Sequence, residues 1–113
     1  MNKQQEKIIE NSLLRFVRNS NRFGSHINSV RINPTNGYLH EKKKFDICFN
    51  LIQSGKRFLT ETIFETGGIA DILNLTDKEI IEILSTEKEK NCIEKVKKYP
   101  SVFSIRMVKA EEK

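Results

Sequence analysis

The sequence predicts one mixed α/β (α+β) domain, ordered helix, three-strand meander, helix, strand, with an additional helix in front. Three observations carry that expectation. The chain has 113 residues, a length suited to a single core. Its apolar residues recur at helical spacing before Gly55 and alternate at strand spacing after it. Thr86-Glu87-Lys88-Glu89 has the pattern of a capping box, which places a helix between the third and fourth strands.

Taken in order, residues 4–18 set Ile9, Leu13, Phe16 and Val17 on one helical stripe, and Asn19, Ser20, Asn21 and Gly24 break it. Residues 25–38 read as loop, with a short strand expected at Ile27–Ile32 and a turn signal in Asn33-Pro34-Thr35-Asn36-Gly37. A second helix is expected from about Leu39 to Ser54. Phe45, Cys48, Phe49 and Ile52 fall at i, i+3, i+4 and i+7, and Gly55 supplies the stop. Three strands follow, Arg57–Phe64, Ile69–Leu75 and Glu79–Leu84, joined by turns at 65–68 and 76–78. The helix opened by Thr86 runs to about Lys98 with Cys92, Ile93 and Val96 inward. Tyr99-Pro100 stops it, and Val102–Val108 is the last strand. Residues 1–38 thus extend a core spanning 39–108, and 109–113 form a frayed tail.

Composition narrows the class. A hydrophobic share of 37% makes the chain globular rather than disordered. No apolar run approaches the roughly 20 residues of a membrane span. The polar, acid-containing N-terminus differs from a signal peptide, so a cytoplasmic (intracellular) protein without a membrane partner is expected. Cys48 and Cys92 form no CxxC pair, and with only His26 and His40 beside them no zinc spacing arises. The net charge of +5 favours an anionic partner. It is concentrated in Lys42, Lys43 and Lys44 and again in Lys88, Lys90, Lys95, Lys97 and Lys98, where phosphate contact competes with simple solvation.

Two acids interrupt apolar strand sequence: Asp71 in Ile69-Ala70-Asp71-Ile72-Leu73, and Glu82 in Ile80-Ile81-Glu82-Ile83-Leu84. Pairing through the 76–78 turn brings them close across the ladder, where like charges repel unless a cation joins them. Glu61 can approach from the first strand. Three converging carboxylates form a hard-oxygen site suited to Mg²⁺ or Mn²⁺. The competing expectation puts these acids on a solvent face, paired with helix lysines.

This element order, with Asp on the second strand and Glu on the third, resembles the PD-(D/E)XK nuclease superfamily, the restriction-endonuclease-like and Holliday-junction-resolvase-like fold. The resemblance covers residues 39 to about 108. Carried over by position, it makes Glu41 the helix acid, Asp71 the motif aspartate and Glu82 the motif glutamate. It implies Mg- or Mn-dependent hydrolysis of a nucleic-acid phosphodiester, with DNA as the expected partner. Where the family places its lysine, two residues after Glu82, this chain has Leu84. In related sequences that lysine moves to the following helix, which nominates Lys88 or Lys95. Lys42, Lys43, Lys44, Lys97 and Lys98 would then grip phosphates. His40 as an acid or phosphate donor, Glu87 as a ligand and Tyr99 as a nucleic-acid contact compete with structural roles, and Gly67-Gly68 reads as a hairpin turn. Two alternatives belong to other classes: a non-catalytic nucleic-acid-binding module on the same fold, and a structural or protein-interaction domain. The family also suggests a homodimer.

Overall fold

A computed structural model of the chain describes residues 2–18, 27–85 and 96–110. Helix α1 spans Lys3–Leu14 and is opened by a capping box, in which the Asn2 side chain accepts from the Gln5 amide and Gln5 returns the bond. It ends at Leu14, short of the expected 18. Phe16 and Val17 leave it to pair with the meander: Val17 bridges Phe64, and the Arg18 amide donates to the Ile63 carbonyl at 2.8 Å.

No strand forms over 27–32. One backbone bond joins this segment to the first strand, from the Asn28 amide to the Phe58 carbonyl at 2.8 Å. Side chains supply others: Phe58 donates its amide to Asn28 Oδ1 at 2.9 Å, and the Thr60 hydroxyl accepts from the Arg31 amide and donates to the Ser29 carbonyl, both at 2.9 Å. A 3₁₀ turn over Pro34–Asn36, capped by Asn33, then leads through Gly37 into helix α2, Tyr38–Gln53. Gly37 has φ of 87°, a left-handed value that a side chain would strain.

The sheet contains β1 (Phe58–Ile63), β2 (Ile69–Asn74), β3 (Glu79–Leu84) and β4 (Ser104–Lys109) in that spatial order. β1 and β2 pair antiparallel, as do β2 and β3, whereas β4 runs parallel to β3 from Glu79↔Ser104 to Leu84↔Lys109. A parallel neighbour requires a crossover connection. Most of the helix expected for it, with Lys88, Lys90, Cys92, Ile93 and Lys95, lies outside the described residues. The segment after it packs back on the sheet through Val96, Tyr99 and Phe103.

Strand alternation divides the core. Leu59, Leu73 and Ile80 face Leu13 and Val17 of the N-terminal segment together with Tyr99 and Phe103. Phe58, Ile72, Ile81 and Ile83 face Cys48 of α2. Burying each such Leu, Ile or Phe contributes about 1.5–3 kcal/mol, so the two faces stabilise the sheet independently. Cys48 is a buried free thiol, its pKa pushed up to about 12 by burial. Gly68 is required for packing: a Cβ there would sit 2.9 Å from the Tyr99 ring.

One helix face departs from expectation. The apolar set Phe45, Phe49 and Ile52 is exposed, and α2 instead turns His40, Glu41, Lys44 and Cys48 inward. The reason lies in what those polar groups meet.

Candidate functional site

Lys44 is 0% exposed, yet its ammonium is fully engaged. Nζ donates to Glu41 Oε1 at 2.7 Å, to Glu61 Oε1 at 2.6 Å and to the Arg31 carbonyl at 2.9 Å. An ammonium has three hydrogens, and each finds an acceptor. Burial works against the charged form, but the two carboxylates outweigh it and raise the Lys44 pKa above its ordinary value. Glu41 is also buried. Hydrogen bonds from Lys44, the Asn33 amide and His40 overcome that burial and lower its pKa.

Glu61 reaches Lys44 through a strained backbone. Alternation would send its side chain to the α1 face with Leu59, but Glu61 has φ of 48° in mid-strand and meets α2 instead. Such a conformation costs on the order of 1–3 kcal/mol and persists where surrounding bonds hold it.

His40 connects this cluster to the strand acids. Its Nδ1 lies 2.7 Å from Glu41 Oε2 and its Nε2 lies 3.3 Å from Asp71 Oδ2. Both carboxylates accept only, so the doubly protonated ring satisfies both contacts. Burial disfavours that form, yet Asp71 and Glu41 together raise the His40 pKa above 6.5.

Asp71 and Glu82 come together as their strands imply. The β2–β3 register runs from Asn74↔Glu79 to Ile72↔Ile81, and one further step sets Asp71 opposite Glu82. At that step the Asp71 carboxylate takes a backbone partner's place, with Oδ2 accepting the Ile83 amide at 2.8 Å. This position between strands lets Asp71 meet His40 of α2 while its carboxyl stays beside Glu82. Burial raises the Asp71 pKa, but His40, Glu82 and the Ile83 amide prevail and hold it down to about 2. Glu82, 2% exposed, accepts from the Tyr99 hydroxyl, which also lies 2.9 Å from the Ile69 carbonyl.

The structure therefore joins Asp71, Glu82 and, through His40, Glu41. It directs Glu61 to Lys44 rather than to the strand acids. Lys44, expected among the phosphate contacts, lies wholly inside the protein because two carboxylates hold it there. Lys42, Lys97 and Lys98 are exposed and Lys43 is half-buried. Lys88, Lys95 and Glu87 lie outside the described residues. Leu84 is half-buried beside Glu82 and brings no cation. The bridging of His40 and the burial of Lys44 were missed in the sequence. Their signal was the spacing His40, Lys44, Cys48, which is one helical stripe.

Among the described residues, no group of three or more His, Cys, Asp and Glu side chains is arranged to hold a metal ion. Glu41 and Glu61 face Lys44, and Asp71 faces His40, so a hard ion held by Asp71 and Glu82 would share Asp71 with the ring. No helix among the described residues is long and apolar enough to cross a membrane. No family model, curated protein or solved structure matches the chain.

Proposed function

We propose that this protein acts on nucleic acid as a small metal-dependent nuclease resembling the PD-(D/E)XK superfamily, with Asp71 and Glu82 as the metal-binding pair and DNA as substrate. One observation carries the reading: two buried acids, Asp71 and Glu82, occupy facing positions of β2 and β3, where like charges repel unless a cation joins them. The antiparallel meander followed by a parallel β4 supports it, as does the arrival of α2 at the same point through His40.

A Mg²⁺ or Mn²⁺ ion bound there would supply Lewis acidity and an acidified water. The residues of the chain would do the rest. His40 keeps Asp71 ionised, Tyr99 fixes the Glu82 carboxyl, and Glu41 orients His40 from the far side. Exposed Lys42, Lys97 and Lys98 would meet phosphates. The second reading, a non-catalytic nucleic-acid-binding module, is favoured by Leu84 and by the commitment of Lys44 to Glu41 and Glu61.

The test is incubation of plasmid, branched and single-stranded DNA with the protein and Mn²⁺, alongside Asp71→Asn. Cleavage that needs Mn²⁺ and disappears in the variant is the expected result. Salt-sensitive DNA binding that ignores Mn²⁺, without cleavage, selects the binding module. Neither cleavage nor binding at low salt overturns both.

A further inference from the structure

Helix α2 is turned inside out relative to an ordinary amphipathic helix. Its inward stripe is polar, and its outward stripe carries Tyr38, Phe45, Phe49 and Ile52, which are 77%, 51%, 50% and 47% exposed. Their spacing places all four on one side of the helix, and the Phe45 and Phe49 rings lie 6.0 Å apart. Single exposed apolar residues need no explanation, but a continuous stripe on a polar chain marks an interaction surface.

We propose that this stripe is a dimer interface, occupied by α2 of a second copy packed antiparallel about a twofold axis. Charge argues against nucleic acid as the occupant. From Phe45 to Gln53 the helix carries no cation, and its one charged residue is Asp46, so phosphates would have nothing to pair with. Charge argues for a second copy. The lysines of α2 are confined to its first half, and its last turn carries no basic side chain to offset the negative helix end. Antiparallel pairing supplies what each copy lacks, because Lys42 of one helix falls beside the C-terminal turn of the other.

Geometry argues the same way. Phe45 and Phe49 lie symmetrically about residue 47, so a twofold axis there sets Phe45 of one copy against Phe49 of the other. Lys42 and Ile52 are equally spaced about that point, which lays the lysine stem along the isoleucine and extends its ammonium to the last carbonyls. A contact built on one helix is small, so the dimer depends on concentration. None of these side chains belongs to the acid cluster, and only Lys42 is shared with the phosphate contacts of the nuclease reading, so Phe49→Lys and Ile52→Lys test the interface separately from it.

Sedimentation velocity of the full chain over a wide concentration series, without nucleic acid, tests it. The wild type is expected to pass from 13.2 kDa to about twice that mass as concentration rises. Phe49→Lys enters the interface twice by symmetry and weakens association roughly a thousandfold, with unchanged far-UV circular dichroism. Ile52→Lys does the same at another point and decides the matter if the first variant misfolds. Lys42→Glu weakens association by roughly tenfold. A wild type that stays monomeric throughout overturns the proposal. So does a dimer that survives both Phe49→Lys and Ile52→Lys, which would place the contact elsewhere, such as the outer edge of β4.

Discussion

Glu41 and Glu61 beside α2, and Asp71 and Glu82 between β2 and β3, are both pairs of buried or half-buried carboxylates in one small sheet protein. Their surroundings differ in kind. The first pair encloses Lys44, whose three hydrogens are all used, so that cluster is electrostatically complete. The second pair has His40 on one flank and Tyr99 on the other, and its two acids stand at facing positions of the strands. A buried ion pair with every hydrogen bond satisfied has a structural explanation. Two adjacent acids repel unless something positive joins them, and on the proposed reading the first pair is scaffold and the second the binding pair.

The largest expected effect comes from opening the closed cluster. Lys44→Ala removes the buried cation between Glu41 and Glu61 and is expected to cost about 3–5 kcal/mol in urea denaturation, a large part of a small domain's stability. Combining Lys44→Met with Glu41→Gln and Glu61→Gln should recover most of that loss, because no unpaired charge is left behind. A single-variant cost below about 1 kcal/mol would show that water enters the cluster, and the contrast between the pairs would fail.

Titration sharpens the comparison at the residue joining the two pairs. His40 has a raised pKa, so its stabilising contribution is complete below 6.5 and is lost as pH rises through the higher folded value. Asp71 is depressed from 3.8 to about 2, so its contribution is present above 3.8 and is lost as pH falls toward 2. Wild-type stability should therefore decline on both sides. His40→Gln should flatten the alkaline limb, read from melting curves across the pH range. An unchanged alkaline limb in the variant would mean that the ring does not bridge the clusters.

Much of the fold was legible because it rests on patterns the chain states locally. Period-two apolar alternation marked β1 to β3 within a residue or so of their ends, and it put Asp71 and Glu82 on facing positions. What failed was the orientation of α2. Phe45, Phe49 and Ile52 form the more apolar stripe, and hydrophobicity alone turns that stripe inward. The reversal comes from contacts distant in sequence: Glu61 and the Arg31 carbonyl for Lys44, Asp71 for His40. Glu61 adds a second such failure, because its left-handed backbone breaks the alternation that would have aimed it elsewhere. α1 ended early for a similar reason, as Val17 found a partner in Phe64.

The smallest expected change in stability is the one that best separates the two pairs. Glu82→Gln keeps an acceptor for the Tyr99 hydroxyl and places an amide donor beside Asp71. It removes one member of a pair of adjacent acids while keeping the side chain's size and polarity, so its stability should stay within about 1 kcal/mol of wild type. The same substitution takes away a carboxylate oxygen that a divalent ion would need, so Mn²⁺-dependent DNA cleavage should be lost. Stability retained while activity disappears is what a group kept for function gives. Should Glu82→Gln instead unfold the protein as Lys44→Ala is expected to, Glu82 is as structural as Glu41, and the open pair is open only in appearance.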